Sequence, residues 1–498
     1  MALLFIDGFD KYGGANTNTT SVAALMAGEW TTTTNATIVG PLSATGQGLQ
    51  NSTTNSLVLA KTLATNYGRI IGGFRFSSTL AGNQGIQFVD NVTAQCGIQI
   101  TASTGIINFR NGAWSTGTII GSSSGSVSAN TTHYLEWDIT LGNAAAYNIY
   151  LDGISVISGT GDTTATANNT ISVVQLVTLT SASATFDDFY LFDTTGTANN
   201  AVLLTSPRIE TQLPNADSAV QFSIGASVLG ATVARTTGSA SIVTNGFYVR
   251  PFTPTRACTL NSLSIMAATS SATINIRPVV YTDSAGAPNT LMSAGSTVTG
   301  ITAGTATTYP LTTPQSLTVG TQYWFGYMTD ASSGTISLGD ATAAGRSATS
   351  TFASGAPGTA PATSAGQPSQ LIWGNITLAT ATNYYEVAQL PPASLNSYVF
   401  DATVAHEDLY NFPALSTPGA TIHSMAVKGF VQKSDSGTRT VSFRTKSSAT
   451  DSGGSLTGQA LGTSFSWLGS FFPTDPNTSA AWTVANLNLA TGGIRVDS

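Results

Sequence analysis

The sequence predicts an all-β chain built from several antiparallel β-sandwich domains, and three observations carry that prediction. In Tyr134–Leu141 the residues Leu135, Trp137, Ile139 and Leu141 alternate with Glu136, Asp138 and Thr140, the period of two that marks a half-buried strand. Asp152-Gly153 between two apolar runs, and Asn111-Gly112 further upstream, are turn pairs that tolerate positive φ and close hairpins. Strand-like runs recur every 8–12 residues or so with turn residues between them and no helical period, the spacing of a sandwich.

The first strand is Leu3 to Ile6, and Glu29-Trp30 follows a loop. Ser56–Leu59, Arg69–Phe76, Gly85–Val89, Gly97–Ile100 and Ile106–Gly112 come next, with Trp114 just beyond. Gly72 and Gly73 inside an apolar run imply a bulge or a close backbone approach. The strand Tyr134–Leu141, the hairpin Tyr147–Ile157, Ile171–Leu176 and Phe186–Asp193 complete the first module. A second sandwich spans 225–390. In it, Pro278 within Ile274–Tyr281 implies an edge strand, because proline cannot donate to a ladder. The Ser, Ala, Gly, Pro and Thr of Ser347–Gln370 read as a long loop. In the last stretch, Ile422–Val431 and Thr440–Arg444 are expected to form a hairpin, and Gly492–Val496 closes the chain.

A length of 498 residues exceeds what one core supports and implies three or four domains. Only 8% of residues are charged, against roughly 25% in ordinary soluble domains. Ser, Thr, Asn and Gln must therefore carry solubility. Disorder is excluded by a net charge of only −7 and by 21 Phe, 15 Tyr and 7 Trp spread along the chain, since disordered chains combine high charge with few aromatics. The 17 Lys and Arg are scattered singly, without the basic stripe of a nucleic-acid binder. No run approaches 18 apolar residues, and Met1–Gly8 lacks a basic leader and contains Asp7, so neither a membrane span nor a signal peptide is expected. Cys96 and Cys258 fall in different modules and in no zinc or redox spacing, so they are expected as buried thiols.

The opening Met1–Tyr12, together with the order of strand, Tyr150-Leu151-Asp152-Gly153 hairpin, loop, strand and Asp187–Asp193, resembles a concanavalin A-like or laminin-G-like jelly roll of tailed-bacteriophage virion proteins. The likeness covers about the first 200 residues. The second module is similar to carbohydrate-binding jelly rolls on bacterial and phage surface proteins. The third, from Ile422 to Val496, resembles a C-terminal module of phage tail and virion proteins. In such proteins a segment like Pro207–Pro214 leads almost directly into that module. The resemblance therefore implies three domains: a jelly roll over 1–200, a discontinuous β-rich module of 201–224 plus 391–498, and an inserted sandwich over 225–390. It also implies a protein made in the host cytoplasm and used in the virion, with other virion proteins as partners. Association as a symmetric homo-oligomer, often a trimer, comes with it.

Function is sought in sites. Asp7 and Asp10 at one end of the first domain, with Asp187, Asp188 and Asp193 at the other, could meet if the terminal strands are neighbours. Gathered hard oxygens would suit Ca²⁺, the one cofactor the sequence suggests; capping of turns is the plainer role. Trp114, Trp324 and Trp373 are the candidates for stacking on sugar rings. Alternation puts Tyr323, Phe325 and Tyr327 on one face and Trp324 and Met328 on the other, and one of those faces must be core. Gly121–Gly125 matches a nucleophile-elbow spacing without the strand-to-helix context that the elbow needs. His133, His406 and His423 stand in no metalloprotease spacing. The expectation is a non-enzymatic virion structural protein, tail-associated, presenting jelly rolls to a host surface glycan. Capsid decoration or a head fibre is the alternative within that class. A polysaccharide-cleaving tailspike, with two acids facing across a cleft, is the alternative outside it.

Overall fold

The computed structural model describes residues 3–42, 46–51, 55–179, 183–195, 200–224, 228–229, 239–254, 257–337, 345–367, 370–378, 382–390, 398–415 and 420–498. The chain is all-β, with several antiparallel sheets packed as sandwiches. It forms two compact units: Met1–Phe222 with Val387–Pro392 and Asp401–Ser498, and Ser223–Glu386 with Ala393–Phe400. No helix among the described residues is long and apolar enough to cross a membrane.

The first unit opens with a two-sheet jelly roll. Its strands are β1 (Leu3–Asp7), β2 (Thr32–Thr34), β3 (Ala36–Val39), β4 (Gly48–Asn51), β5 (Val58–Tyr67), β6 (Arg69–Ser78), β7 (Gln84–Asp90), β8 (Thr93–Ile100), β9 (Ile106–Asn111), β10 (Thr118–Ser126), β11 (Thr132–Thr140), β12 (Ala145–Leu151), β13 (Ile154–Gly161), β14 (Ile171–Thr178) and β15 (Ala184–Phe192). Among the described residues, one sheet runs β13-β12-β11-β6-β15-β4-β3, with β1 beside β15, and the other runs β10-β9-β8-β7-β14-β5-β2. Leu135, Trp137 and Ile139 point into the shared core beside Phe74, Phe88 and Phe189, as their alternation requires. The β12–β13 turn holds Asp152 at φ 52° and Gly153 at φ 79°, the two positive values a tight hairpin demands. Gly72 is a close approach: a Cβ there would lie 2.5 Å from the Trp137 ring.

The stretch after Asp401 belongs to the same unit as this jelly roll. Ala216–Ala219 pairs with Glu407–Asn411, which pairs with Thr491–Val496 and through it with Thr440–Ser447. The expected hairpin of Ile422–Val431 with Thr440–Arg444 does not form. Met425–Val431 pairs instead with Ser466–Phe472, and the two strands stand in separate sheets that share Val427, Val441, Phe443 and Phe472 as core.

A buried polar seam ties that hairpin to the jelly roll. Asp7 accepts from Lys11 Nζ at 2.6 Å, Tyr12 Oη at 2.6 Å, Trp30 Nε1 at 2.7 Å and its neighbour Phe9 N at 2.9 Å. Lys428 donates to Glu29 Oε1 at 2.5 Å and to the Ile6 carbonyl at 2.7 Å. Lys61 donates to the Glu29 carbonyl at 2.5 Å. The Trp467 indole donates to the Leu25 carbonyl at 2.8 Å, and its ring belongs to the jelly-roll core. Burial would raise the Asp7 carboxyl, but the charges of Lys11 and Lys428 and its donors hold it below the usual range. Burial lowers Lys428 to about 8. A buried charge is tolerated only when paired and hydrogen-bonded; Lys11 pairs with Asp7 and Lys428 with Glu29, and Lys61 rests on the Glu29 carbonyl.

In the second unit, one sheet runs, in the described residues, Val228–Leu229, Ile372–Leu378, Cys258–Thr269, Thr335–Ser337 and Ser239–Ser241, with Ala306–Leu317 alongside Cys258–Thr269. The other runs Ala287–Ala294, Ser271–Ser284, Tyr323–Thr329, Gly246–Phe252, Gly345–Thr349 and Ser364–Gln367, with Val298–Ile301 alongside Ser271–Ser284. Three expectations change here. Pro278 lies in an interior strand, in the gap between the residues that pair with Val298–Ile301 and those that pair with Ala287–Ala294, so its missing N–H costs no ladder bond. Ser347–Gln370 is no featureless loop, since it carries Ser364–Gln367 as a strand and a 3-10 turn at Phe352–Ser354. Both faces of Tyr323–Met328 are core: Tyr323 and Phe325 pack between the sheets, and Trp324 and Met328 pack under Phe352, Ala356 and Ala360. Cys96 and Cys258 are buried and not disulfide-bonded.

Candidate functional site

The outward face of the jelly roll's seven-stranded sheet is polar in a way its alternation dictates. Ile86, Phe88, Ile98, Phe109, Val174 and Leu176 face the core, so the residues between them face out. Register lines them up in two rows. One passes from Gln175 to Gln87, Gly97, Arg110 and Ile119, and the next from Gly85 to Gln99, Asn108 and Ser122. Side-chain bonds fix these groups: Gln87 Nε2 donates to Gln175 Oε1 at 3.0 Å, and Arg110 Nε and Nη2 donate to Gln99 Oε1 at 3.0 and 2.7 Å. Ser122 Oγ donates to Asn108 Oδ1 at 2.7 Å, and Arg110 Nη1 to the Gly117 carbonyl at 2.6 Å. The Arg110 charge thus rests on amide and carbonyl oxygens. Gln175, Gln87 and Arg110 are half-buried and Ser122 is exposed, and Gln99 and Asn108 are buried.

Trp114 sits against this face. A Cβ on Gly97 would lie 2.5 Å from the Trp114 Cβ, and Trp114 N donates to Gln87 Oε1 at 3.1 Å. Only 7% of Trp114 is exposed, so it supports the face from the β9–β10 loop and offers no open ring. Trp324 is buried, donates Nε1 to Asp283 Oδ1 at 2.7 Å and lies under the Arg346 guanidinium. Trp373 is buried as well. The three rings expected as stacking platforms are therefore packing residues, because in a chain this poor in charge the large aromatics are what fill the sheet interfaces. The polar rows leave only a faint mark in the sequence. Their signal is the repeated Gln at alternate positions in Gly85-Ile86-Gln87-Phe88 and Gln95–Ile100, where a solvent face would more commonly carry charge.

The carboxylate group expected from the two ends of the first domain does assemble, since β1 pairs with β15, Asp7 opposite Phe189. Asp7 is consumed by the four donors of the seam. Asp10 accepts from Gln47 N at 2.7 Å and Thr211 N at 3.3 Å. Asp187 accepts from Leu42 N at 3.1 Å and Asp188 N at 2.8 Å, and Asp188 from Arg75 Nε at 2.8 Å and Ile209 N at 2.7 Å. Burial, with Asp188 as a like-charged neighbour, raises Asp10 to about 6 and Asp187 to about 7. Asp193 caps its own turn through Thr195 N at 2.9 Å. Among the described residues no group of three or more His, Cys, Asp or Glu side chains is arranged to hold a metal ion. These acids tie loops to strand ends. Gly121–Gly125 lies within strand β10, and Ser123 donates to the Gly125 carbonyl. His133 Nδ1 meets Asp152 at 2.7 Å while its Nε2 accepts from Ser128 N at 3.2 Å, and His406 meets Asp401 at 2.9 Å.

No family model matches the chain. No curated protein matches it either. Several solved structures are similar to part of it. A carbohydrate-binding module, CBM66 from Bacillus subtilis, is 15% identical over 34% of this chain and 97% of its own, with a TM-score of 0.25. An endo-β-1,4-glucuronan lyase from Trichoderma reesei is 13% identical over 33% of this chain and 91% of its own, with a TM-score of 0.27. A galectin-like protein of unknown function from Bacillus subtilis is 10% identical over 37% and 97%, with a TM-score of 0.27.

Proposed function

We propose that this chain is a non-catalytic structural protein of a tailed-phage virion, tail-associated, that presents its jelly roll to glycans of the host surface. The observation that carries the recognition half is the fixed polar face of the seven-stranded sheet. Gln175, Gln87, Arg110 and Ser122 hold amide, guanidinium and hydroxyl groups in place before any ligand arrives, Arg110 braced by the buried Gln99 and Ser122 by the buried Asn108. Sugars present hydroxyls that both donate and accept, and amides are the side chains that match both roles. Preorganised donors cost less entropy on binding. The ring set against this face, Trp114, is buried, which predicts recognition through hydrogen bonds rather than stacking, and modest affinity per site. Several copies on one particle would compensate through multivalency.

The virion setting rests on the likeness of Met1–Tyr12 and of the closing strands to phage domains, and the partners it implies are other virion proteins. Incubating the purified chain with envelope polysaccharide of a host tests the function. Retention of the protein without release of new chain ends supports a binder, and release of ends supports the cleaving-spike alternative. Antibody labelling of the particle separates tail attachment from head decoration.

A further inference from the structure

The polar face of the jelly roll carries one charge. In its two rows Arg110 stands among Gln175, Gln87, Gln99, Asn108 and Ser122 as the one ionised side chain. Every other arginine of the first unit has a carboxylate partner: Arg69, Arg75, Arg439, Arg444 and Arg495 each pair with an aspartate, and Arg208 pairs with Glu210. Arg110 meets no carboxylate among the described residues. Its partners are the Gln99 amide oxygen and the Gly117 carbonyl. Asp162 borders the face, since Asn111 Nδ2 donates to its carbonyl at 3.1 Å, but its carboxylate is taken by Thr164 N at 3.0 Å and Thr164 Oγ1 at 3.1 Å.

Counting donors shows what is left over. A guanidinium holds five N–H groups. Gln99 Oε1 takes one from Nε and one from Nη2, and the Gly117 carbonyl takes one from Nη1, so an N–H remains on each terminal nitrogen. The plane that carries them is braced from below, because Gln99 is 2% exposed. Two neutral oxygens thus hold the group in place and leave its charge uncancelled. Donors fixed in a guanidinium plane suit the paired oxygens of a carboxylate or a phosphate.

We propose that Arg110 makes this face selective for acidic glycans, polysaccharides in which a singly charged oxyanion, a uronate carboxylate or a phosphodiester, stands beside the sugar hydroxyls. This rests on the glycan reading above and names its substrate class. An oxyanion supplies Arg110 with the counter-charge that every other arginine of the unit already has. A neutral sugar does not. Charge-assisted bonds are roughly twice as strong as neutral ones, so the charge sets the preference and the amides accept the hydroxyls around it. The chain as a whole works against such a ligand, with a net charge of −7. A preference for an acidic polymer is therefore the mark of a local cation and not of the overall field.

Affinities of the full chain at low salt for three immobilised polymers test the inference: polygalacturonate, the galactan made by reducing its carboxyl groups, and poly(ribitol phosphate). At least one acidic polymer should bind about tenfold or more tightly than the galactan, and which one does so identifies the oxyanion. In Arg110→Gln that ratio should fall to about one. Arg277→Gln removes a positive charge from the second unit, where Arg277 likewise rests on neutral oxygens, the Phe352 carbonyl and Thr297 Oγ1, both at 3.2 Å. It should keep the wild-type ratio. Unchanged unfolding midpoints would show both variants folded. Should Arg110→Gln misfold, amide exchange of the wild type gives the reading, with Ile106–Asn111 slowing when the preferred polymer is added. Equal affinity for acidic and neutral polymers would overturn the inference and leave the glycan reading standing. A preference that survives Arg110→Gln, one that falls as far in Arg277→Gln, or exchange over Ile106–Asn111 that does not change would overturn it too. Retention on none of the three polymers would remove both readings.

Discussion

The interiors of the two units solve the same problem with different residues. In the second, aromatic pairs fill the space between sheets: Phe252 stacks on Phe325 at 4.5 Å and Tyr248 on Tyr327 at 5.2 Å. The Tyr327 hydroxyl donates to Gln370 Oε1 at 2.6 Å. In the first, the jelly roll is equally aromatic, but its junction with the Met425–Phe472 hairpin is charged, with Asp7, Lys11, Glu29, Lys61 and Lys428 gathered beneath Trp30 and Trp467. Aromatic stacking is tolerant of partner and angle. A buried ion pair is intolerant, because misdocking strands a charge in apolar surroundings. The contrast teaches what a cluster of charges does in a chain with so few: it sits at a junction that must form in one way only.

Breaking the seam should have the largest effect. Glu29→Ala leaves Lys428 and Lys11 buried with Asp7 as the remaining carboxylate, and should cost about 3–5 kcal/mol, read as a lowered denaturation midpoint for the first unit. The double variant Glu29→Leu/Lys428→Met removes both charges at similar volume and should lie within about 1 kcal/mol of wild type. A double variant as unstable as the single one would mean that the seam contributes stability and not only specificity. Phe325→Leu, which loses the stack on Phe252, should cost about 1–2 kcal/mol in the second unit. Tyr327→Phe should cost about 1 kcal/mol, the worth of its hydroxyl bond.

The smallest effect is a pH slope confined to the first unit. Asp10 and Asp187 have folded values of about 6 and about 7, above the ordinary carboxyl range. Between that range and pH about 7 the folded state holds more protons than the unfolded chain, so their contribution is full in acid and is lost as pH rises. Asp7, held low, contributes in the opposite sense, stabilising at neutral pH and losing that effect in acid. Thermal melts of Asp187→Asn from pH 5 to 8 should show a flatter decline than wild type; an unchanged slope would remove Asp187 from the explanation.

Much of this architecture is legible in the sequence. The alternation in Tyr134–Leu141 assigns the core face, Asp152-Gly153 locates a hairpin, and Gly72 marks a bulge or a close approach, which the structure shows to be that of Trp137. What was illegible is long-range. Nothing near Lys428 names Glu29, about four hundred residues away, and nothing near Trp467 names Leu25. A local hint existed, since Lys428 shares a strand face with Ala426 and Phe430, an odd setting for a solvated lysine. The hairpin mispairing has the same origin: strands near in sequence were paired, whereas Met425–Val431 takes the partner that buries Lys428. The aromatic candidates failed because alternation reports two faces of a strand and not whether a further segment covers the outer one, as Phe352–Ala360 covers Trp324. The candidate glycan face emerges only when separate strands are placed in register.

Binding of a host-envelope polysaccharide by the full chain and by an Arg110→Ala/Gln99→Ala variant, with chain ends counted in the same samples, tests the central claim most directly. The account predicts that the wild type is retained on the polysaccharide and releases no new reducing or unsaturated ends, and that the variant, folded by its unfolding midpoint, binds about tenfold or more weakly. Equal retention of the two proteins, or new ends released by the wild type, would contradict it.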